Sequence, residues 1–450
     1  MISLILLFIF MLGYLLISTE HLHRIDKMIP SILMMVISWG ILFMFPTHIV
    51  QWLDPNTAEP ALAKLGFVPD FIGSISEKTA LIQSALAHHL SKTAEIVVFL
   101  IGAMTLVELM DHFKAFDTVE GWFRSKNKWN LLVMLCAFTF FLSAVIDNLT
   151  ATLVMIAIYR KITDDPNERL WYAGFIIIAA NAGGAWSPIG DVTTTMLWIG
   201  HKVSVSPLFL KTFFPSLLSV AIPVLLARWI PVFKGKRSAV LRDKTTPRGK
   251  ELWLGIGLFL LVPIVKTVLH IPPYMGMMFA LCVFALYAEI KTNRRFKLTE
   301  IESDLSPQSP TMKSLQKVEL PTILFFLGIL LTVAALESIG LIFNLGQAVQ
   351  GAGISTETFM GILGMASSVI DNVPLVAGAM GMFSYPMDHD VWHFLAYAAG
   401  TGGSILIIGS AAGVVAMGIE KIAFMWYLRN IAPLAITGYL VGFFSLFLFM

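Results

Sequence analysis

A carboxylate beside an amide stands in the middle of two long apolar stretches of this chain. The first stretch reads Ser143-Ala144-Val145-Ile146-Asp147-Asn148 and the second Ser367-Ser368-Val369-Ile370-Asp371-Asn372. An ionised side chain at the centre of a bilayer costs roughly 2.5–3.5 kcal/mol on insertion scales, so by default it marks an ion or proton site. Two of them in matched contexts point to two halves of one site. The plainer reading is a neutral, hydrogen-bonded helix breaker at each place.

The surrounding chain requires a membrane. Of 450 residues 57% are hydrophobic and only 13% charged, with a mean hydropathy of +0.78. Many apolar windows of about 17–25 residues are long enough to cross a hydrocarbon core. The fold class is therefore an all-α polytopic membrane protein. Cys136 and Cys282 both lie in apolar segments, so neither a disulfide framework nor a metal cluster is indicated. The first apolar stretch, 1–17, has no basic run before it and no evident cleavage site, and reads as a retained helix.

Each motif divides its segment into arms too short to span. About a dozen residues flank Asp147 on either side within 131–159, and a dozen helical residues rise only about 18 Å against a core of roughly 30 Å. A re-entrant hairpin over 131–159 fits better, with basic residues at both ends: Lys126 and Lys128, then Arg160 and Lys161. A second hairpin is expected over 355–384. Two broken helices accompany them. One, over 171–199, is interrupted by Asn181 to Asp191; the other, over 392–417, contains Gly400-Thr401-Gly402-Gly403-Ser404. Irregular backbone at this depth is tolerated only where it is buried in protein or lines a cavity. Further spans are expected over 28–45, 95–110, 208–233, 251–269, 274–290, 322–342 and 432–450. An interfacial helix near 80–90 and an amphipathic helix over 419–429 complete a chain of about 10 full spans.

The second half follows the first in order. Glu95 matches Glu319, Asp147-Asn148 matches Asp371-Asn372, Gly183-Gly184 matches Gly402-Gly403, and Asp191 matches Ser410. Lys and Arg concentrate on the cytoplasmic side of membrane proteins. That rule puts 111–128, 234–250 and 291–318 in the cytoplasm and 270–273 and 385–391 outside. The first hairpin then opens to the cytoplasm, and the second, flanked by Gln347, Glu357, Asp388 and Asp390, opens outward. The halves read as an inverted repeat, a pattern of secondary transporters with a site near the midplane.

The polar residues available there suit a hard cation such as Na⁺. They are Ser143, Asp147, Asn148, Asn181, Asp191, Thr193, Thr194 and Thr195 from the first half, and Ser367, Asp371, Asn372, Thr401, Ser404 and Ser410 from the second. No Lys or Arg lies inside these four segments, so an anion would be repelled unless cations accompanied it. Asp147 and Asp371 are expected to be the coupling carboxylates, sharing Na⁺ with Asn148, Asn372 and the hydroxyls near Thr193 and Ser404. Asp191, without a matching acid, reads as a proton relay or a cap on the helix that follows. Glu108 and Glu337 read either as relay carboxylates or as helix-end residues that snorkel. His88, His89 and His112 read as interfacial. No nucleotide, nucleophile–base or metal-protease motif occurs, so no enzyme, cofactor or nucleic-acid partner is expected.

At these same residues, 143–150, 181–195, 367–376 and 400–404, the chain resembles the NhaD-type sodium/proton antiporters of the ion transporter superfamily. The likeness runs from Glu95 to the C-terminus. It implies exchange of Na⁺ or Li⁺ for H⁺ across a bacterial inner membrane, with both as transported ions and no other cofactor. It also implies a homodimer in which a transport domain moves as an elevator against a scaffold. The matching positions for the family's functional residues are Asp147, Asn148, Asn181, Asp191, Thr193, Thr194, Ser367, Asp371, Asn372 and Ser404. Both half-sites fall in 131–233 and 355–450, which are therefore the expected transport elements, with 1–128 and 251–343 as scaffold. The alternative is a sodium-coupled dicarboxylate or other anion carrier of the same superfamily. Those carriers have Ser-Asn-Thr at the hairpin tips where this chain has Ile-Asp-Asn.

Overall fold

The computed structural model describes residues 2–20, 25–53, 70–120, 122–123, 125–163, 165–236, 249–296, 309–369 and 371–450. Among these residues the ordered elements are helices, with two isolated β-bridges and no strand. Most of the basic residues of the 234–250 loop, the side chains of Arg294 and Arg295, and Lys297 lie outside what is described.

The first part contains α1 (Ile2–Ser18), α2 (Met28–Met44) and α3 (Ile75–His112). The sequence suggests an interfacial helix near 80–90 and a separate span over 95–110. The structure joins them into one rod of 38 residues, about 57 Å long at 1.5 Å per residue. Neither Gly nor Pro occurs between Ile75 and Ile101 to break it. A capping box fixes its start: Ser74 Oγ accepts from the Glu77 amide at 3.3 Å, and the Ser74 amide donates to Glu77 Oε2 at 2.7 Å.

Five helices follow: α4 (Lys128–Ser143), α5 (Asn148–Ile162), α6 (Pro166–Gly184), α7 (Val192–Ile199) and α8 (Val205–Leu226). Then come α9 (Lys250–Leu269), α10 (Pro273–Phe296), the short α11 (Pro310–Lys317), α12 (Leu320–Ser338) and α13 (Leu341–Gly351). The chain closes with α14 (Thr356–Ala366), α15 (Asn372–Met382), α16 (Asp390–Gly402), α17 (Ala411–Glu420), α18 (Phe424–Asn430) and α19 (Ala432–Leu446). Both motif segments are thus broken at Asp-Asn, as the arm lengths require. The 419–429 helix is not continuous. Lys421 adopts a left-handed conformation at φ +53°, and α18 leaves α17 at 114°. Five helices are long and apolar enough to cross a bilayer as single rods, among the described residues.

Two packing groups emerge. α1, α2, α3, α9, α10 and α12 pack mainly on one another. In the other group α4 lies along α6, α14 along α16, and α8 along α19. The second arms cross over: α5 packs on α17, and α15 packs on α7. Each pairing recurs with the halves exchanged. At one end of this group, buried Glu420 takes Arg160 at 3.5 Å and Arg169 at 3.2 Å, and Glu168 pairs with Lys128.

Candidate ion-binding site

The hairpin tips meet the helix breaks by backbone contact, and glycine permits it. A Cβ on Gly183 would lie 2.2 Å from the Phe140 carbonyl oxygen, and one on Gly402 would lie 1.9 Å from that of Gly364. Both breaks therefore press directly on the first arm of their own half's hairpin. This closeness brings the amide after each Asp to a single point.

That point is Asp191, 3% exposed at the end of the first break. Its backbone is extended, at φ −147° and ψ 149°, at the capping position of α7, yet its side chain caps nothing. Instead its Oδ1 accepts from Asn148 Nδ2 at 3.2 Å, and its Oδ2 accepts from Asn372 Nδ2 at 3.3 Å. The Thr193 hydroxyl also donates to Oδ2. Asn148 Nδ2 donates a second bond, to Asn181 Oδ1 at 3.1 Å. Asn181 Nδ2 donates to the Ile177 carbonyl at 3.0 Å and to Ser410 Oγ at 3.1 Å. One network therefore joins both tips, Asn148 and Asn372, to both breaks, Asp191 and Ser410. Capping is what Ser410 does: its Oγ accepts from the Gly413 amide at 3.2 Å.

The three acids sit differently in this geometry. Asp147 and Asp371 do not share the amides between them; Asp191 does. Asp147 caps α5, taking the Thr150 amide on Oδ1 at 2.9 Å and the Thr150 hydroxyl on Oδ2 at 2.7 Å. Asp371 takes the Val373 amide on Oδ1 at 3.2 Å and Lys27 Nζ on Oδ2 at 3.1 Å. No Lys or Arg lies inside the four segments, but Lys27 reaches the second tip from another segment. Asp388 and Asp390 also meet lysine from afar, with Lys211 Nζ 2.6 Å from Asp390 Oδ1.

The other expected hydroxyls turn to backbone carbonyls. Ser143 donates to Ala180 at 2.6 Å, Ser367 to Gly364 at 2.7 Å, Thr401 to Tyr397 at 2.6 Å and Ser404 to Thr401 at 2.7 Å. Thr194 donates to the Asp191 carbonyl at 2.9 Å and Thr195 to that of Pro188 at 2.9 Å. Of these carbonyls, those of Gly364 and Thr401 lie in a last helical turn and that of Pro188 in a break, where helical partners are missing. Of the expected hydroxyls, Thr193 meets the Asp191 carboxylate. Lys27, missed in the reading of the four segments, carries one signal: it is a basic residue at the threshold of an apolar span.

A cavity of about 520 Å³, lined by Asp26, Lys27, Leu149, Glu319, Asp371 and Ser410 among others, reaches the second tip and the second break. A second, of about 440 Å³, lies beside Lys92, Glu95, His201, Lys202, Glu337 and Met380. No cluster of three or more His, Cys, Asp or Glu fit to hold a metal occurs among the described residues. Glu108 pairs with Lys317 at 3.7 Å, and His89 Nε2 lies 3.4 Å from the Ser338 hydroxyl.

Apolar broken helices gathered about a buried carboxylate define an integral membrane transporter. A family model described as "Citrate transporter" matches residues 5–395. "Sodium/proton antiporter 2" of Arabidopsis thaliana is 36% identical over 382 residues, covering 82% of this chain and 89% of its own. "Na(+)/H(+) antiporter NhaD" of Alkalimonas amylolytica is 31% identical over 415 residues, covering 87% and 85%. "Sodium/proton antiporter 1" of Arabidopsis thaliana is 39% identical over 379 residues, and this chain spans 64% of its length. The chain belongs to this transporter family, among the NhaD-type antiporters. The fold is like that of the Alcanivorax borkumensis YdaH transporter, whose crystal structure "reveals an unusual topology". The TM-score is 0.57 at 11% identity, over 92% of this chain and 97% of that one.

Proposed function

We propose that the protein exchanges Na⁺ for H⁺ and that Asp191 is the group both ions compete for. One observation carries this: a single buried carboxylate accepts an amide from each hairpin tip. Its hydrogen-bond partners, Asn148, Asn372 and Thr193, are all neutral, so its charge awaits a cation or a proton. A dehydrated Na⁺ is matched by carboxylate, amide and hydroxyl oxygens. Asn181 Oδ1, Thr193 and Ser410 stand near Asp191 to supply them. Asn148 and Asn372 add amide oxygens when a bound cation turns their side-chain amides over. Occupancy by one ion excludes the other, and alternating access of such a site to the two sides is exchange. Asp147 and Asp371 flank it at the tips.

The two halves are read as an inverted repeat. Exchanged pairings of α4–α6 with α14–α16 and of α5–α17 with α15–α7 support that reading. The basic loops favour a cytoplasmic position for the cavity beside Lys27 and Glu319 and an external one for that beside Lys92 and Glu337. The packing groups support a scaffold made of 1–128 and 251–343 and an elevator-like transport domain made of 131–233 and 355–450. Li⁺ as an alternative cargo, a homodimer, about 10 spans and a bacterial inner membrane complete the reading, on the resemblance to NhaD-type antiporters.

The family description favours a second reading, carriage of citrate or a related anion. The carboxylate at the centre of the site opposes it. Purified protein in proteoliposomes with an internal pH dye separates the two: pulses of Na⁺ and Li⁺ should move protons, and citrate or succinate should not. Proton movement with neither Na⁺ nor Li⁺, together with citrate uptake, would reverse the assignment.

A further inference from the structure

We infer that Lys27 is a tethered cation that occupies Asp371, pins the second hairpin tip to the first packing group, and yields when a transported cation takes its place. The inference rests on the exchange reading above. Lys27 stands just before α2, with its Nζ 3.1 Å from Asp371 Oδ2 and 4.4 Å from the centre of the Phe325 ring on α12. Tyr14 of α1 donates its hydroxyl to the Asp371 carbonyl at 3.3 Å. Three helices of one packing group thus converge on a single tip of the other. The two charged side chains are 23% and 17% exposed. A pair so placed is shielded enough to hold and hydrated enough to be exchanged, since desolvation and attraction nearly balance at such sites.

The local sequence explains why this tip and not the other takes an outside partner. In the first hairpin, Thr150 supplies an amide and a hydroxyl to the capping carboxylate three residues before it. In the second hairpin that position is Pro374, which has no N–H and no hydroxyl. Asp371 is left with an oxygen that its own helix cannot satisfy, and Lys27 fills it. The cavity leading there is lined by Glu20, Asp26, Glu319 and Asp371, with Lys27 as the one basic residue in its wall among the described residues. Cations drawn in by the acids therefore meet the ammonium already seated on Asp371.

A tether gives this ammonium a high effective concentration. The apparent affinity for a competing ion is reduced by the fraction of time its site is free. If the pair is formed roughly 70–90% of the time, removing the ammonium lowers the Na⁺ KM about three- to tenfold.

The test uses the full chain in proteoliposomes at alkaline pH, where protons compete least, with Na⁺-driven proton movement as the readout. Lys27→Met should lower the Na⁺ KM by that factor, and Lys27→Arg should keep it near wild type. Lys27→Cys, in a Cys282→Ser background because Cys282 is exposed, should resemble Lys27→Met. Aminoethyl methanethiosulfonate, which restores an ammonium on the introduced thiol, should bring the KM back, and methyl methanethiosulfonate should not. This before-and-after comparison decides the matter if Lys27→Met fails to assemble. An unchanged or raised KM in these variants, with wild-type exchange intact, would overturn the tethered-cation inference alone. Absence of exchange in the wild-type protein would overturn the antiport reading with it.

Discussion

The two hairpin tips carry the same Ile-Asp-Asn sequence and use it differently. Their amides behave alike: Asn148 and Asn372 both donate to Asp191. Their carboxylates do not. Asp147 is closed on its own helix by Thr150, and Asp371 reaches across to Lys27. Three residues beyond each Asp, a Thr stands in one half and a Pro in the other, and that difference alone changes which donors each cap can recruit. The lesson is that a repeated motif preserves what touches the shared centre, and its outward-facing partner is set by neighbours outside the motif. Asp191 and Ser410 show the same split. Ser410 caps its helix, and Asp191 leaves its own helix uncapped in order to face the tips.

The comparison breaks first at Asp191. Asp191→Asn keeps the shape and removes the charge, and exchange should fall by about 100-fold or more, the scale of losing roughly 3 kcal/mol at a buried charged site. Asn148→Ala and Asn372→Ala should act alike, each raising the Na⁺ KM because each removes one amide from the same carboxylate. Unequal effects would mean that the tips are not equivalent at the centre. Next come the contacts that hold the tips in place. Gly402→Ala and Gly183→Ala drive a methyl into backbone oxygens at 1.9 and 2.2 Å, and thermal unfolding in detergent should show a loss of about 1–3 kcal/mol for each.

Smaller effects sharpen the difference between the carboxylates. Pro374→Thr gives the second tip the donors of the first, so the Lys27 pair should loosen and the Na⁺ KM fall about two- to threefold. Thr150→Val removes a hydroxyl donor but leaves the capping amide. It should cost about 1 kcal/mol of stability and leave exchange within about twofold of wild type, as initial rates would show.

Much of this architecture was legible in the chain. Arm length exposed the breaks at Asp147 and Asp371, because a dozen residues cannot cross a bilayer. Glycine and proline exposed the breaks after Gly184 and Gly402. Symmetry directs attention to the wrong feature for the shared contacts. Matching Asp to Asp makes Asp147 and Asp371 the expected pair and leaves Asp191, whose match is Ser410, as a relay or a cap, although it is Asp191 that accepts both amides. Sequence matching cannot register that hairpin arms cross over between halves, which is what carries Asn372 to Asp191. Lys27 was hidden for a related reason, since its contact joins residues 344 apart in segments that share no motif. The 75–112 rod was misjudged because polar residues at Ser91, Lys92 and Thr93 resemble a loop, although nothing in them stops a helix.

Equilibrium binding of radiolabelled Na⁺ to the purified protein, compared between Asp191→Asn and Asp147→Asn, tests the central claim most directly. Asn is as good an N-cap as Asp, so Asp147→Asn should keep its hairpin and still bind Na⁺, whereas Asp191→Asn should bind it about 100-fold more weakly, with only Asp371 left to hold it. Near-wild-type affinity in Asp191→Asn and no saturable binding in Asp147→Asn would contradict the account and move the centre of the site to the hairpin tip.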